Sequence, residues 1–168
     1  DMLKNVKEEL NRFAKYVISQ SRANLTRGKK NSSKELYNSL DSNVKVSENS
    51  FELTFLMEDY GVFQDKGVSG VKKKYNTKYS YTTKMPPPSK MDKWIVNKGI
   101  APRDKNGKFI SRKSLQFMIA RSIFNNGIKP SLFFTKPFEK AFKNIDKDLI
   151  KAYKLDIETL MNNSINNK

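Results

Sequence analysis

The 168-residue sequence contains neither cysteine nor histidine. The absence of cysteine excludes disulfide bonds, a thiol nucleophile, an iron–sulfur cluster and cysteine-ligated zinc. The absence of histidine removes the commonest general base and transition-metal ligand, so Ser-His-Asp and HExxH sites are impossible. Both absences lower the expectation that the protein is an enzyme.

Long apolar runs are also missing. No stretch approaches the roughly 20 apolar residues that a bilayer-spanning helix needs. The N-terminal segment is charged and amphipathic, unlike the apolar region of a signal peptide. We therefore expect a protein made in a cytoplasm, without membrane contact.

Positive charge is abundant and unevenly distributed. The chain has 33 Lys and Arg against 17 Asp and Glu, a net charge of +16. Residues 66–113 alone carry 14 basic and 2 acidic residues, a net charge of +12, which leaves +4 for the rest. A basic block of this kind suits a polyanion or an acidic protein surface. A solvated, solubilising loop explains the charge equally well.

Apolar spacing predicts the elements of the N-terminal third. Apolar residues recur every three or four positions over 2–25, which predicts a helix. Ser32 or Ser33 is a candidate N-cap for a short helix that follows. The period then changes to two over 44–57, which predicts a β-hairpin with one buried face and a turn at 48–50.

The middle of the chain has weaker periodicity. Residues 59–67 are predicted to form a short helix or turn that ends at Gly67. Residues 68–84 show no helical pattern and predict an extended loop or flexible hairpin, longer than most connections in compact domains. A helix is predicted over 89–99 after a run of prolines, and 103–108 is a turn by composition.

The C-terminal third is predicted to be mainly helical. A helix begins at Ser111 or Ser114, and the apolar run 132–134 predicts a short strand. A long helix follows over 136–161, and the Asn-rich end, 162–168, is expected to fray. The apolar face predicted for the long helix consists of Phe138, Phe142, Ile145, Leu149, Tyr153 and Ile157, and continues to Leu160 and Met161.

These elements predict an α+β fold. Its parts are an N-terminal helix, a small antiparallel sheet, a long basic loop, two short helices and a long C-terminal helix, in one domain over 1–161. Met91, Trp94, Ile95 and Phe109 are expected in the core, with a binding patch as the alternative. Four further phenylalanines are expected in the core, with one or two left for a neighbour: Phe133, Phe134, Phe138 and Phe142.

Catalytic motifs are not found. The densest acidic groups are Glu8-Glu9, Glu58-Asp59 and Asp146 with Asp148, and the first and last of them fall on predicted helices as solvated charge. Glu52-Leu53-Thr54 lacks the lysine of a Glu-x-Lys nuclease motif, and 67–70 lacks the spacing of a phosphate-binding loop. We expect no enzymatic activity, no metal and no cofactor. A small Mg²⁺-dependent nuclease is the enzymatic alternative.

Five segments occur in an order that resembles a known family. They are a Leu/Ser segment before the hairpin (34–40), a Tyr…Phe…Gly element (60–67), a Trp-Ile helix ending in Lys-Gly-Ile (94–100), an Ile-Ala-Arg-Ser-Ile helix with a Gly-Ile-Lys-Pro exit (119–130) and a Phe-Phe-Thr-Lys-Pro-Phe opening of the last helix (133–138). Over roughly 1–160 the chain resembles the tail-completion or neck (head–tail joining) proteins of tailed bacteriophages, the HK97 gp10-like tail components.

The resemblance implies a structural virion protein. Such proteins are small α+β subunits that form a homo-oligomeric ring, a hexamer or dodecamer, between the portal-adaptor proteins and the tail. The ring attaches or terminates the tail, and DNA passes through its lumen. The expected location is therefore the virion neck or tail, after synthesis in the cytoplasm of the host bacterium. The family has no catalytic residues to assign here.

The basic loop at 68–84 is the strongest candidate site. Lysines neutralise phosphates and tyrosines stack on bases, and the loop interleaves both: Lys72, Lys73, Lys74, Tyr75, Lys78, Tyr79, Tyr81 and Lys84. Three interpretations stay open: an arm that docks on an acidic neighbour in the ring, a non-specific contact with packaged DNA, or a solvated loop. The alternative function is a basic nucleic-acid-binding protein that uses 66–113.

Overall fold

The computed structural model describes residues 3–30, 34–47 and 49–166. Parts of the predictions lie outside these ranges: residue 2 of the helix predicted over 2–25, the N-cap at Ser32 or Ser33, Glu48 of the hairpin turn, and the last two residues of 162–168. The fold is α+β, as predicted. In its described part, the chain forms six α-helices and a two-stranded antiparallel sheet.

The element order follows the predicted plan. The helices are α1 (Lys4–Arg27), α2 (Glu35–Ser39), α3 (Tyr60–Lys66), α4 (Asp92–Lys98), α5 (Arg112–Asn126) and α6 (Thr135–Asn166). The strands are β1 (Asp41–Ser47) and β2 (Ser50–Leu56), and a 3-10 turn, Pro88–Met91, precedes α4. Helix α6 continues through Asn166, and the fraying of 162–168 stays a prediction.

The chain divides into two compact units. The first unit comprises Asp1–Arg27, Tyr37–Met57 and Phe133–Lys168, and the second comprises Gly28–Leu36 and Glu58–Leu132. The first unit thus contains the hairpin and both long helices, and the second contains the basic loop. The prediction of one domain over 1–161 stays a prediction.

In the first unit, α1 and α6 pack together and cover one face of the hairpin. Strands β1 and β2 pair in register with Val44 opposite Leu53. The apolar stripe of α1 is buried as its spacing predicts, with Val6 and Leu10 packed against Ala152 of α6. Full burial of a valine or leucine side chain contributes about 1.5–3 kcal/mol to stability, relative to leaving it exposed.

Four phenylalanines form the other half of this core. The ring of Phe13 lies 6.3 Å from that of Phe55 and 5.8 Å from that of Phe138, measured between centroids. Phe134 meets Phe55 edge to face at 5.1 Å. Edge-to-face pairs add to the free energy of area burial, so this cluster ties α1, the hairpin and α6 together.

A buried carboxylate joins the two ends of the first unit. Asp156 of α6 is only 4% exposed. Its carboxylate accepts hydrogen bonds from the backbone amides of Asn5 (2.9 Å) and Val6 (3.0 Å) and from the Asn5 side chain (2.7 Å). The first amides of a helix have no partner within it, so Asp156 acts as an N-terminal cap for α1 from a distant position in the sequence.

The strand predicted at 132–134 is wrong. Leu132 has a φ of 52°, which is incompatible with extended backbone. Phe133 and Phe134 form the turn that leads into α6, and Phe133 is buried. The apolar run therefore reflects core packing at a helix entrance, a role that residue composition does not distinguish from a buried strand.

The apolar face predicted for the last helix is only partly correct. Ile145 is buried and Leu149 is half-buried. The other members from Phe142 onward are exposed: Phe142, Tyr153, Ile157, Leu160 and Met161. The buried line of α6 runs instead through Ile145, Leu149, Ala152 and Asp156, at spacings of four, three and four. Helix α6 therefore has more apolar side chains than its contacts with α1 and the hairpin cover.

The second unit has a smaller apolar core. Its described buried apolar residues are Leu36, Val68, Ile95, Leu115 and Ala120. Helices α4 and α5 both contact the 3-10 turn. The Ser111 hydroxyl accepts from the backbone amide of Ser114 at 3.2 Å and caps α5, which confirms Ser111 rather than Ser114 as the cap.

Two aromatic residues of this unit are not in the core. Ile95 is buried as predicted, but Trp94 is 43% exposed and Phe109 is 59% exposed. The prediction that they pack inside is wrong. Trp94 lies on α4, which buries Ile95 on its other side, and Phe109 lies in an exposed turn beside Arg103. No helix within the described ranges is both long and apolar enough to cross a membrane.

Candidate functional site

The basic loop is attached to the C-terminal end of α5. The backbone amides of Lys72 and Lys73 donate to the carbonyl oxygen of Asn125, at 2.9 and 3.1 Å. The amide of Val71 donates to the carbonyl oxygen of Phe124 at 2.9 Å. The last carbonyls of a helix need partners from outside it. The loop therefore satisfies α5, and this part of it is a fixed turn rather than a free arm.

Two glycines make this attachment possible. A Cβ on Gly70 would lie 2.2 Å from the carbonyl oxygen of Asn125, and one on Gly127 would lie 2.1 Å from that of Val68. Both distances are far inside van der Waals contact. Val68 and Ile128 exchange backbone hydrogen bonds of 2.9 and 2.8 Å across this approach. The two backbone segments meet because neither glycine has a side chain.

Ser69 organises the rest of the loop. Its hydroxyl accepts from the amide of Tyr75 (2.9 Å) and donates to the carbonyl oxygen of the same residue (3.1 Å). Its backbone accepts from the amide of Tyr81 and donates to the carbonyl oxygen of Tyr79. These bonds close the turn that presents Lys72, Lys73 and Lys74.

The lysines and tyrosines of the loop have different environments. The lysines of the predicted site are exposed, whereas Tyr75, Tyr79 and Tyr81 are half-buried. The ring of Tyr79 lies 5.0 Å from that of Phe63, and the ring of Tyr81 lies 6.2 Å from that of Phe124. Burial raises the pKa of the Tyr81 phenol. The structure brings the predicted residues together but turns the tyrosines inward, so they are poorly placed to stack on bases.

Among the residues that the structure describes, the exposed lysines of the loop have no acidic partners. Within the described part of the chain, none of the five forms an ion pair: Lys72, Lys73, Lys74, Lys78 and Lys84. The Nζ atoms of Lys73 and Lys78 lie 5.6 and 5.2 Å from the ring centroids of Tyr75 and Tyr79. These cation–π contacts orient the two side chains but do not neutralise their charge. The negative end of the α5 dipole favours cations at this position. Part of the positive charge of the loop therefore serves to stabilise α5.

The charge follows the division into units. The second unit has 19 basic and 6 acidic residues, a net charge of +13. The first has 14 basic and 11 acidic residues, a net charge of +3. Ion pairs among the described residues of the second unit include Lys66 with Asp65, Lys93 with Glu35 and Arg112 with Asp92. Glu35 raises the pKa of Lys93 through a hydrogen bond and its charge.

A second basic feature was not identified as a site from the sequence. Residues 102–110, here called the basic hairpin, fold back with Arg103 opposite Phe109. The Asp104 carboxylate accepts from the amides of Asn106 (2.8 Å) and Lys108 (2.9 Å). The turn predicted over 103–108 is confirmed. The sequence signal for this pair is an Arg directly before an Asp-x-x-Gly turn and a Phe two residues after it.

The guanidinium of Arg103 is held in place. It lies 3.6 Å from the centroid of the Phe109 ring. Its Nη1 donates to the carbonyl oxygen of Gly107 at 2.7 Å. Residues 103–109 are all exposed, so the basic hairpin presents a fixed cation to solvent.

The first unit contains a groove of about 860 Å³ beside α1. Arg22 lines it, and its side chain donates to the carbonyl oxygens of Tyr37 (3.1 Å) and Leu40 (2.9 Å). The guanidinium also lies 5.2 Å from the Tyr37 ring centroid. Arg22 thus holds the chain that leads from α2 into β1. Among the described residues, no group of three Asp or Glu is arranged to hold a metal ion.

An exposed apolar surface lies on the C-terminal half of α6. Six residues form it, here called the α6 apolar patch, and each is between 36% and 68% exposed: Ile150, Tyr153, Ile157, Leu160, Met161 and Ile165. They recur at spacings of one, three and four, so they share one side of the helix. Their side differs from the buried line that ends at Asp156.

Comparisons with known proteins provide no relative. No protein-family model matches the chain, and neither a curated protein nor a solved structure shows significant similarity to it.

Proposed function

We propose that the chain is a structural subunit of a tailed-bacteriophage virion, a neck or tail-completion protein of the head–tail interface. It assembles as a ring of six or twelve copies that joins the portal-adaptor proteins to the tail and lets DNA pass. The observation that carries the proposal is the order of the five segments between 34 and 138. The α+β fold with long terminal helices agrees with it.

The α6 apolar patch supports an assembling role. Contiguous apolar surface of this kind is uncommon on monomeric proteins and marks contact sites. The two most exposed members, Met161 and Ile165, are 60% and 68% exposed. A subunit that packs α6 against a neighbour in the ring removes these side chains from water.

Purified virions test the proposal directly. The chain should be present in particles at six or twelve copies, counted against the portal protein by quantitative mass spectrometry. Phage with the gene disrupted should produce DNA-filled heads and separate tails that do not join. Infectious particles that lack the chain would overturn the proposal.

The α6 apolar patch gives a sharper version of this test. Replacement of Ile150 and Met161 by serine should reduce incorporation into particles while circular dichroism of the isolated chain stays unchanged. Asn144 and Lys151 are exposed on the same helix, so their replacement by serine is the matched control. Equal incorporation of both double variants would show that the patch is not an interface.

A second candidate function is non-specific nucleic-acid binding by the second unit. Its net charge of +13 and the exposed loop lysines favour it. Because the loop tyrosines pack on Phe63 and Phe124, the expected bonds are to phosphates and not to bases. Such binding weakens steeply with salt.

Salt-dependent binding distinguishes this candidate from the first. Replacement of Lys72, Lys73 and Lys74 by alanine should lower the slope of log affinity against log salt by about 0.9 for each phosphate that is no longer neutralised. Three exposed lysines of α6 provide the control: Lys143, Lys147 and Lys151. A shallow slope, equal in both triple variants, would contradict nucleic-acid binding by the loop.

A further inference from the structure

We infer that the basic hairpin (102–110) binds the phosphate backbone of duplex DNA. The inference rests on the second candidate function, nucleic-acid binding by the second unit, and identifies residues that carry it. Arg103, Lys105 and Lys108 supply the charge, and none of them forms an ion pair in the described part of the chain.

Arg103 is already ordered to bind a phosphate. Stacking on Phe109 at 3.6 Å and the Nη1 bond to the carbonyl oxygen of Gly107 fix its guanidinium. The guanidinium has five N–H donors, so others stay available, and its fork matches phosphate oxygens. Since the side chain is fixed before binding, less conformational entropy is lost when a phosphate binds.

Asp104 contributes to the same property. It is the only acidic residue between Ile95 and Ser131, and its carboxylate accepts the amides of Asn106 and Lys108. Asp104 therefore shapes the turn instead of pairing with a lysine. The same carboxylate lies near the cations of the turn, Arg103, Lys105 and Lys108, and repels phosphate.

The shape of the hairpin favours a duplex as the partner. The backbones of Asp104 and Lys108 are joined by a 2.8 Å hydrogen bond, and Ile110 donates to the carbonyl oxygen of Pro102 at 3.0 Å. The result is a short two-stranded ribbon exposed from 103 to 109. The major groove of DNA admits a two-stranded ribbon between its phosphate rows. The high linear charge density of DNA also matches a unit of +13 better than an ordinary acidic protein surface does.

The decisive variant is Asp104→Asn. The amide oxygen of asparagine accepts the same two backbone amides, so the turn is kept while one negative charge is removed. Affinity for a fluorescently labelled duplex at low salt should rise about two- to fivefold, the effect of one nearby exposed charge. The matched control is Asp148→Asn, the same charge change at an exposed position of α6, and its affinity should change less.

Two further variants test Arg103 on the full-length chain. Arg103→Ala should lower the salt slope by about 0.9. Arg103→Lys should keep the slope but bind more weakly, because the planar stack on Phe109 is lost. Thermal unfolding monitored by circular dichroism should show native-like transitions for both.

The outcomes distinguish a failure of the hairpin inference from a failure of the second candidate function, nucleic-acid binding by the second unit. A native chain that does not bind duplex overturns both. Binding with equal responses of Asp104→Asn and Asp148→Asn, or with weaker binding of Asp104→Asn, overturns the hairpin alone. If polyglutamate competes for the chain as effectively as unlabelled duplex does, the partner is an acidic protein. That result would also overturn the inference.

Discussion

The two units of the molecule are stabilised in different ways. In the first, ten apolar residues are buried, and in the second only five, counting the described residues. The first unit has a net charge of +3 and the second +13. In the second unit, three backbone hydrogen bonds join residues 71–73 to the end of α5, and two glycines lie at close backbone approaches.

This difference follows from what each unit exposes. Lysines are almost never fully buried without a partner, so a segment rich in lysine has few side chains left for a core. Backbone amides and carbonyls are then the remaining means of fixing the loops. The second unit therefore presents a fixed basic surface on a small core, and the first provides an apolar scaffold with the α6 apolar patch.

The largest expected effect is in the aromatic cluster of the first unit. Phe13→Ala should lower the free energy of unfolding by about 3–5 kcal/mol, because it opens a cavity among Phe55 and Phe138. Urea denaturation measures this. Phe142 is 54% exposed, and Phe142→Ala should cost far less. Equal losses would show that packing does not stabilise this unit as described.

Loss of the cap from α6 to α1 should be the next largest effect. Asp156→Ala removes three hydrogen bonds to a buried carboxylate and should destabilise the chain by about 2–4 kcal/mol. Hydrogen exchange should accelerate at the first turn of α1. Exposed Asp148 provides the comparison, and Asp148→Ala should change stability by no more than about 0.5 kcal/mol. Unchanged exchange at Asn5 and Val6 in Asp156→Ala would contradict the cap.

The close glycine approaches test how the second unit is held. Gly70→Ala places a Cβ against backbone atoms of Asn125 and Gly127 and should cost about 1–3 kcal/mol. Gly99 has a φ of +61° but open space around its Cα, so Gly99→Ala should cost only about 1 kcal/mol of backbone strain. A smaller loss at Gly70 than at Gly99 in urea denaturation would show that the loop detaches easily.

The smallest expected effect is a gain in stability. Ser21 is fully buried in α1, and its hydroxyl has no hydrogen-bond partner among the described residues. Ser21→Ala should stabilise the chain by about 1 kcal/mol, because an unsatisfied buried hydroxyl is removed. Ser19→Ala, at an exposed position of the same helix, isolates the gain in helix propensity. A loss of stability in Ser21→Ala would indicate that the hydroxyl is satisfied.

Local pattern predicted most of the elements correctly. The period-two segment over 44–57 forms the hairpin, and the stripe of α1 is buried as its spacing indicates. Ser111 caps α5 as its position indicates. These features depend on residues close together in the sequence, where periodicity and capping chemistry act. The exclusion of thiol and imidazole chemistry needs no structure at all.

Interactions between distant residues could not be predicted in this way. The turn at Phe133, the cap from Asp156 to Val6 and the inward tyrosines of the basic loop all depend on which segments meet. The sequence by itself determined most of the elements, the net charge of +16 and its concentration in the middle of the chain. Only the tertiary structure decided that the loop lysines face water, that Arg103 is fixed on Phe109 and that α6 keeps a second apolar side exposed. The physical reason is that spacing defines the sides of a helix or strand, whereas burial depends on what packs against each side.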